Sequence, residues 1–321
     1  MGSEVLYTEE DLIDALAAIT APVAPAPSVF PAVPGLDTPS CRFGMLRLDM
    51  ATPSRQALRQ SFIELRPEAH QVGLDDKLSW FGIGKAALED RGGYEPVLKV
   101  FAKRGCPNTL RGRVWTRVLG VHLSPLDAQR FKSLVGNLKV CTLATDDMLR
   151  ADAQRVCEDH NFFPFAEVLE DVLMALFRDP KVLHLMTFLP TIPVVGKDTY
   201  GKTTGPFPPA GLLPYPNICL YAAPLCYLYQ RDYEVYYTFR AMYARYWCRL
   251  ATISTAPSTL LPLCKLFEDL LARLAPRLFI HLNAMGTPPL TLVFPWIRFA
   301  FSGFLEIKEV LLLWDRVIGF D

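Results

Sequence analysis

The sequence is poor in histidine, in net charge and in unbroken apolar runs, and each shortage removes a class of function. Five histidines are scattered through 321 residues, isolated from one another and without metal-ligand spacing, so no metal centre and no cofactor is expected. Lys plus Arg and Asp plus Glu both number 33, which argues against a general electrostatic grip on nucleic acid or anionic membrane, local basic patches aside. The most hydrophobic stretch, Pro289–Phe320, is broken by Arg298, Glu306, Lys308, Glu309 and Asp315, so no spanning helix is expected there. The opening MGSEVLYTEEDLIDAL lacks the basic start and apolar centre of a secretory signal, and Leu6 stands where myristoylation of Gly2 wants Ser or Thr. Eight cysteines (41, 106, 141, 157, 219, 226, 248 and 264) form no C-x-x-C pair and sit in apolar segments, the pattern of reduced, buried thiols in a cytoplasmic protein.

What is present is apolar and helical. Residues 8–19 read as a short helix capped by Thr8, followed by a Pro- and Ala-rich linker that closes an N-terminal segment 1–41. Residues 42–103 form a helical region, with helices near 54–65 and 94–103 and a packed element around Trp80 and Phe81. From residue 104 to 321 the chain carries four stripes at helical spacing. The first is Phe165, Val168, Leu169, Val172, Leu173, Leu176 and Phe177; the second is Val235, Tyr236, Phe239, Met242, Tyr243, Tyr246 and Trp247. The third is Leu263, Leu266, Phe267, Leu270, Leu271 and Leu274; the fourth is Ile307, Val310, Leu311, Trp314, Val317 and Ile318. With no alternating strand pattern between them, the fold class is all-α.

One segment breaks the helical pattern. Residues 189–217, LPTIPVVGKDTYGKTTGPFPPAGLLPYPN, hold too many prolines and glycines for continuous helix and read as a functional loop. Inside it, Gly196–Thr203 satisfies GxxxxGK[ST]. A phosphate loop needs a buried strand before it and a helix N-terminus after it. Here the upstream run holds Pro193, and the downstream TGPFPP cannot start a long helix. A nucleotide-binding role for Gly196–Thr203 is therefore an alternative reading, behind a polar loop tip.

The clearest landmark is residues 103–120, KRGCPNTLRGRVWTRVLG. Gly105, Cys106 and Pro107 predict a bend, Asn108 or Thr109 a cap, and Gly120 a stop. Val114, Trp115, Val118 and Leu119 give the apolar stripe. Arg111, one turn before Trp115, can cover the indole or hold a carboxylate. The order Gly-x-Pro, Arg, Trp resembles the opening of the TBC domain, the fold of Rab GTPase-activating proteins. The resemblance continues through Val156–Phe165 (for I-x-x-D-x-x-R-T-x-P), Tyr221–Leu225 (after Y-x-Q-G), Arg231–Phe239, Trp296, Phe301 and Leu313-Trp314-Asp315. It implies a TBC-like multi-helix domain over 104–321. The family runs on through further helices where this chain stops at Asp321, so the resemblance implies an incomplete C-terminal part.

It also implies a mechanism in which an arginine neutralises charge on the transferred phosphoryl group and a glutamine positions the attacking water. Both would be supplied to a Rab-family GTPase in trans. The arginine contributes about 10³–10⁵ in rate. On this alignment Asp159 keeps the aspartate and Phe162 replaces the arginine. Arg155, the nearest substitute, lies seven residues earlier. The glutamine position falls on Pro216, or on Asn217 if the count shifts by one, and Gln230 is far along the next helix. With no catalytic residue secured, the resemblance implies a Rab-binding regulator or scaffold more than a two-finger activator. Arg111, Arg113, Asp159, Phe162 and Asn217 are the candidate GTPase contacts. A helical interaction module with no GTPase partner is the remaining alternative. No nucleic acid is expected, and membranes would be reached only through partners.

Overall fold

The structure, a computed structural model, describes residues 54–56, 59, 74–89, 95–140, 143–159, 161–188, 194–197, 203–207, 209–251 and 253–321. The expected helix over 8–19, the linker after it and most of the helix near 54–65 lie outside these residues. The described residues belong to one unit spanning 52–321.

They are dominated by helix. The N-terminal elements are α1 (Leu74–Glu89), α2 (Glu95–Arg104), α3 (Asn108–Val118), α4 (Pro125–Val140) and α5 (Ala144–Val156). A 3-10 turn at Phe163–Phe165 leads into α6 (Ala166–Arg178) and the short α7 (Lys181–Leu185). Then come 3-10 turns at Ile218–Tyr221 and Ala223–Tyr227, α8 (Asp232–Arg245), and another at Trp247–Arg249. The chain ends with α9 (Leu260–Leu274), α10 (Pro276–Ala284), α11 (Pro289–Arg298) and α12 (Ile307–Phe320). Among the described residues no helix is long and apolar enough to cross a membrane.

The bend before α3 forms as expected, with Gly105 at φ +100° and Gly120 at φ +67° closing the other end, conformations that glycine reaches without strain. The expected cap does not form. Pro107 occupies the cap position, Asn108 is the first helical residue, and its side-chain oxygen accepts a hydrogen bond from Arg111. At α4 the ends are satisfied reciprocally: Ser124 N–H donates to the Asp127 carboxylate and Asp127 N–H donates to Ser124 Oγ.

Helix α6 is the central rod. Its predicted stripe is buried throughout, and it packs against α4, α5 and α8. Burying each Leu, Val or Phe contributes about 1.5–3 kcal/mol, so this one stripe outweighs any single polar contact. α12 returns to pack on α2 and α3, bringing Trp314 to Trp247 (ring centroids 5.2 Å) and to Trp115 (6.3 Å), while Tyr221 stacks on Trp247 at 5.6 Å. These rings join four chain segments across the core.

Two expectations need correction. Inside the loop, β1 (Val194–Lys197) pairs antiparallel with β2 (Thr203–Phe207), Lys197 opposite Thr203. The third apolar stripe forms helix α9 but is not a core face: only Leu260 and Cys264 are buried, because α9 leans mainly on α10 and α11.

Candidate functional site

The α5 helix carries Leu149, Asp152 and Arg155 at three-residue spacing. Leu149 is buried in the core, which fixes the rotation of the helix and sends Asp152 toward the loop preceding the 3-10 turn at Ile218. That loop ends at Asn217, a non-glycine residue at φ +67°. Its left-handed backbone turns the N–H groups of Asn217 and Cys219 toward one point, and the carboxylate of Asp152 occupies it. Oδ1 accepts from Asn217 N–H, and Oδ2 accepts from Cys219 N–H at 3.0 Å. Arg155 Nη1 stands 3.8 Å from Asp152 Oδ1, with more than half of its side chain open to solvent.

Asp152 therefore joins the last turn of α5 to the Asn217 loop. Burial pushes its carboxyl above the usual carboxylate range, opposed by the two backbone N–H donors and by Arg155. The result is a braced aspartate with a partly exposed guanidinium on one side and a partly exposed Asn217 on the other. A guanidinium fork beside a short amide can offer charge-assisted hydrogen bonds to an anionic group brought by a partner.

The residues singled out from the sequence are placed differently. Phe162 is 4% exposed and meets the Tyr227 ring edge-on at 6.4 Å, so it belongs to the core. Asp159 is exposed, and its Oδ1 accepts from the N–H and side-chain amide of Asn161. Pro216 is exposed next to Asn217, so it does not share a surface with buried Phe162. Gln230 lends its backbone carbonyl to Arg59 at 3.2 Å. Arg111 is 1% exposed and ion-paired to Asp315 at 3.0 Å, which removes it from any contact surface. Arg113 is exposed and lines a shallow groove with Thr116, Arg117 and His122.

Asp152 is the residue that the sequence reading passed over. The stretch Leu149-x-x-Asp152-x-x-Arg155 has the I-x-x-D-x-x-R spacing quoted above, as does Val156-x-x-Asp159-x-x-Phe162 seven residues later. The arginine in the first was the available signal.

The ends of the GxxxxGK[ST] motif lie in β1 and β2 of the hairpin, the geometry of two facing strands rather than of a strand feeding a helix. Among the described residues no group of three or more His, Cys, Asp or Glu side chains could hold a metal ion.

Comparison with known proteins bears out the resemblance to the TBC family. Residues 218–319 match the Rab-GTPase-TBC domain. The chain is 31% identical over 292 residues to the human protein TBC1 domain family member 19, an alignment that covers 87% of this chain. The chain spans 55% of the length of that relative. No solved structure matches the chain. Asp152, Arg155 and Asn217 all precede the matched domain segment.

Proposed function

We propose that this TBC-like chain engages a Rab-family small GTPase through the surface that carries Arg155 and Asn217. The observation that supports this is the double hydrogen bond of Asp152 to the Asn217 loop, beside Arg155. On this reading the I-x-x-D-x-x-R pattern falls on Leu149, Asp152 and Arg155, and Tyr215-Pro-Asn217 falls on Y-x-Q. The burial of Phe162 favours this register over the one seven residues later. Arg155 then takes the role of the charge-neutralising arginine. Asn217 stands in for the glutamine and is one methylene shorter. The chain acts as a Rab regulator with the electrostatic part of the mechanism intact and the water-positioning part weakened.

The test is single-turnover GTP hydrolysis across a Rab panel with and without the chain, alongside direct binding. The expected result is binding to at least one Rab with modest stimulation that requires Arg155. Absence of binding to every Rab by a folded chain would overturn the reading, and would leave the helical interaction module without a GTPase partner in its place.

A further inference from the structure

We propose that the end of α9 together with α10 forms a face that binds an anionic phospholipid bilayer directly, in addition to whatever contact the chain makes with a GTPase. Helix α10 has no buried residue, and its main neighbours are α9 and α11. Leu274 is 81% exposed and Ile280 66%, and Leu278 and Met285 are also open. Leu274 ends α9 and Ile280 follows one turn into α10, and open apolar side chains on adjoining turns mark a surface that meets something less polar than water.

The charge on this stretch is one-sided. Between Asp269 and Glu306 the sequence holds no carboxylate side chain. It does hold Arg273 beside Leu274 and Arg277 beside Leu278, both arginines exposed on either side of the α9–α10 junction. Interleaved guanidinium and branched apolar side chains match the two layers of a bilayer interface. Lipid phosphates take the charge, and the acyl boundary takes Ile280, one helical turn from Arg277. The zero net charge of the whole chain does not oppose this, because attraction to an anionic surface falls off within about 8–10 Å.

The test is co-sedimentation of the full chain with phosphatidylcholine vesicles, with and without phosphatidylserine. Pelleting should require phosphatidylserine and weaken as salt is raised. Arg273→Glu with Arg277→Glu should lower the vesicle-bound fraction about tenfold or more, and Ile280→Glu should lower it without adding a basic-site change. All three positions are exposed, so far-UV circular dichroism should be unaltered. Failure to pellet with phosphatidylserine vesicles overturns the proposal, as does pelleting indifferent to these variants. Self-association of the chain that Ile280→Glu abolishes also overturns it, since the face would then be covered by a second copy. No arm of the assay contains a GTPase, so its outcome is separate from that of the Rab experiment.

Discussion

Arg111 on α3 and Asp315 on α12 form an ion pair at 3.0 Å in which neither side chain exceeds 2% exposure. Asp315 also accepts from Trp115 Nε1–H at 2.7 Å and from Cys106 N–H at 2.8 Å, and Arg111 Nη2–H donates to the Cys106 carbonyl at 2.7 Å. One carboxylate thus ties the first helix of the TBC-like region to the last. Asp315→Asn leaves a buried guanidinium without its counter-charge and should cost about 3–5 kcal/mol in urea unfolding. Arg111→Met combined with Asp315→Leu should recover only part of that. The N–H groups of Trp115 and Cys106 remain without an acceptor, at about 1–3 kcal/mol each.

Gly319 lies where α12 packs tightly against α2. A Cβ there would lie 2.6 Å from Lys103 N and 2.9 Å from Lys99 O, both backbone atoms that cannot swing away. Gly319→Ala should therefore destabilise by about 1–3 kcal/mol through overpacking, despite the better helix propensity of alanine. Gly136, exposed in α4 with nothing within 4 Å of the added carbon, supplies the opposite sign. Gly136→Ala should stabilise by about 0.5–1 kcal/mol. Thermal midpoints of the two variants should move in opposite directions.

The contrast between α6 and the Arg111–Asp315 pair marks what the sequence could reveal. The stripe from Phe165 to Phe177 is written in neighbouring letters, because burial of a helix face imposes its own period. That Arg111 would either cover the indole or meet a carboxylate was legible in its position before Trp115. That the carboxylate would be Asp315 was not, since 204 positions separate them and only the return of α12 brings them together. The α9 stripe shows the limit from the other side: Leu266, Leu270 and Leu274 predict a helix correctly but say nothing about whether a core covers them. The hairpin was hidden because its short strands carry Gly196, Lys197, Thr203, Thr204, Gly205 and Pro206 instead of an alternating apolar run. At the candidate site two stretches seven residues apart fit one spacing, and what distinguishes them, the burial of Phe162 and the bracing of Asp152, depends on contacts far apart in the chain.

The described cysteines are free and buried. Burial pushes the Cys157 thiol up to about 11, and raises Cys106, Cys219, Cys226, Cys248 and Cys264 as well. A raised thiol holds its proton at pH 8 and supplies little thiolate. Alkylation of these six positions by iodoacetamide, followed by mass spectrometry, should be slow in the native chain and rapid in urea. Fast native labelling at any of them would show that its site opens.

Asp152→Ala removes the acceptor for two backbone N–H groups and should cost about 1–3 kcal/mol for each. Hydrogen exchange at Asn217 and Cys219 should rise with it. Asp152→Asn keeps one acceptor and should fall between the two. Because burial raises the native carboxyl above its unfolded value, the native chain holds that proton more tightly. The stability this group contributes is then fully present at acid pH and declines as pH rises through the native value. The difference in urea midpoint between wild type and Asp152→Asn should therefore narrow from acid to neutral pH.

The proposed register makes a prediction that the alternative register reverses. If Arg155 neutralises the transferred phosphoryl charge, Arg155→Ala should return any Rab-stimulated rate to the intrinsic rate of the GTPase. Its side chain is more than half exposed, so the thermal midpoint should stay near that of wild type. Arg155→Lys should rescue little, since a single ammonium does not reproduce the planar fork. Asn217→Gln restores the missing methylene while leaving the backbone N–H that binds Asp152 in place, so stimulation should increase. The φ of +67° favours asparagine over glutamine, which costs this variant some stability but no contact. Phe162→Arg, the rescue that the later register demands, would instead drive a charge into a pocket that leaves Phe162 4% exposed. It should lower the thermal midpoint and add no activity. Rescue by Phe162→Arg with undiminished stability would return the arginine role to that position.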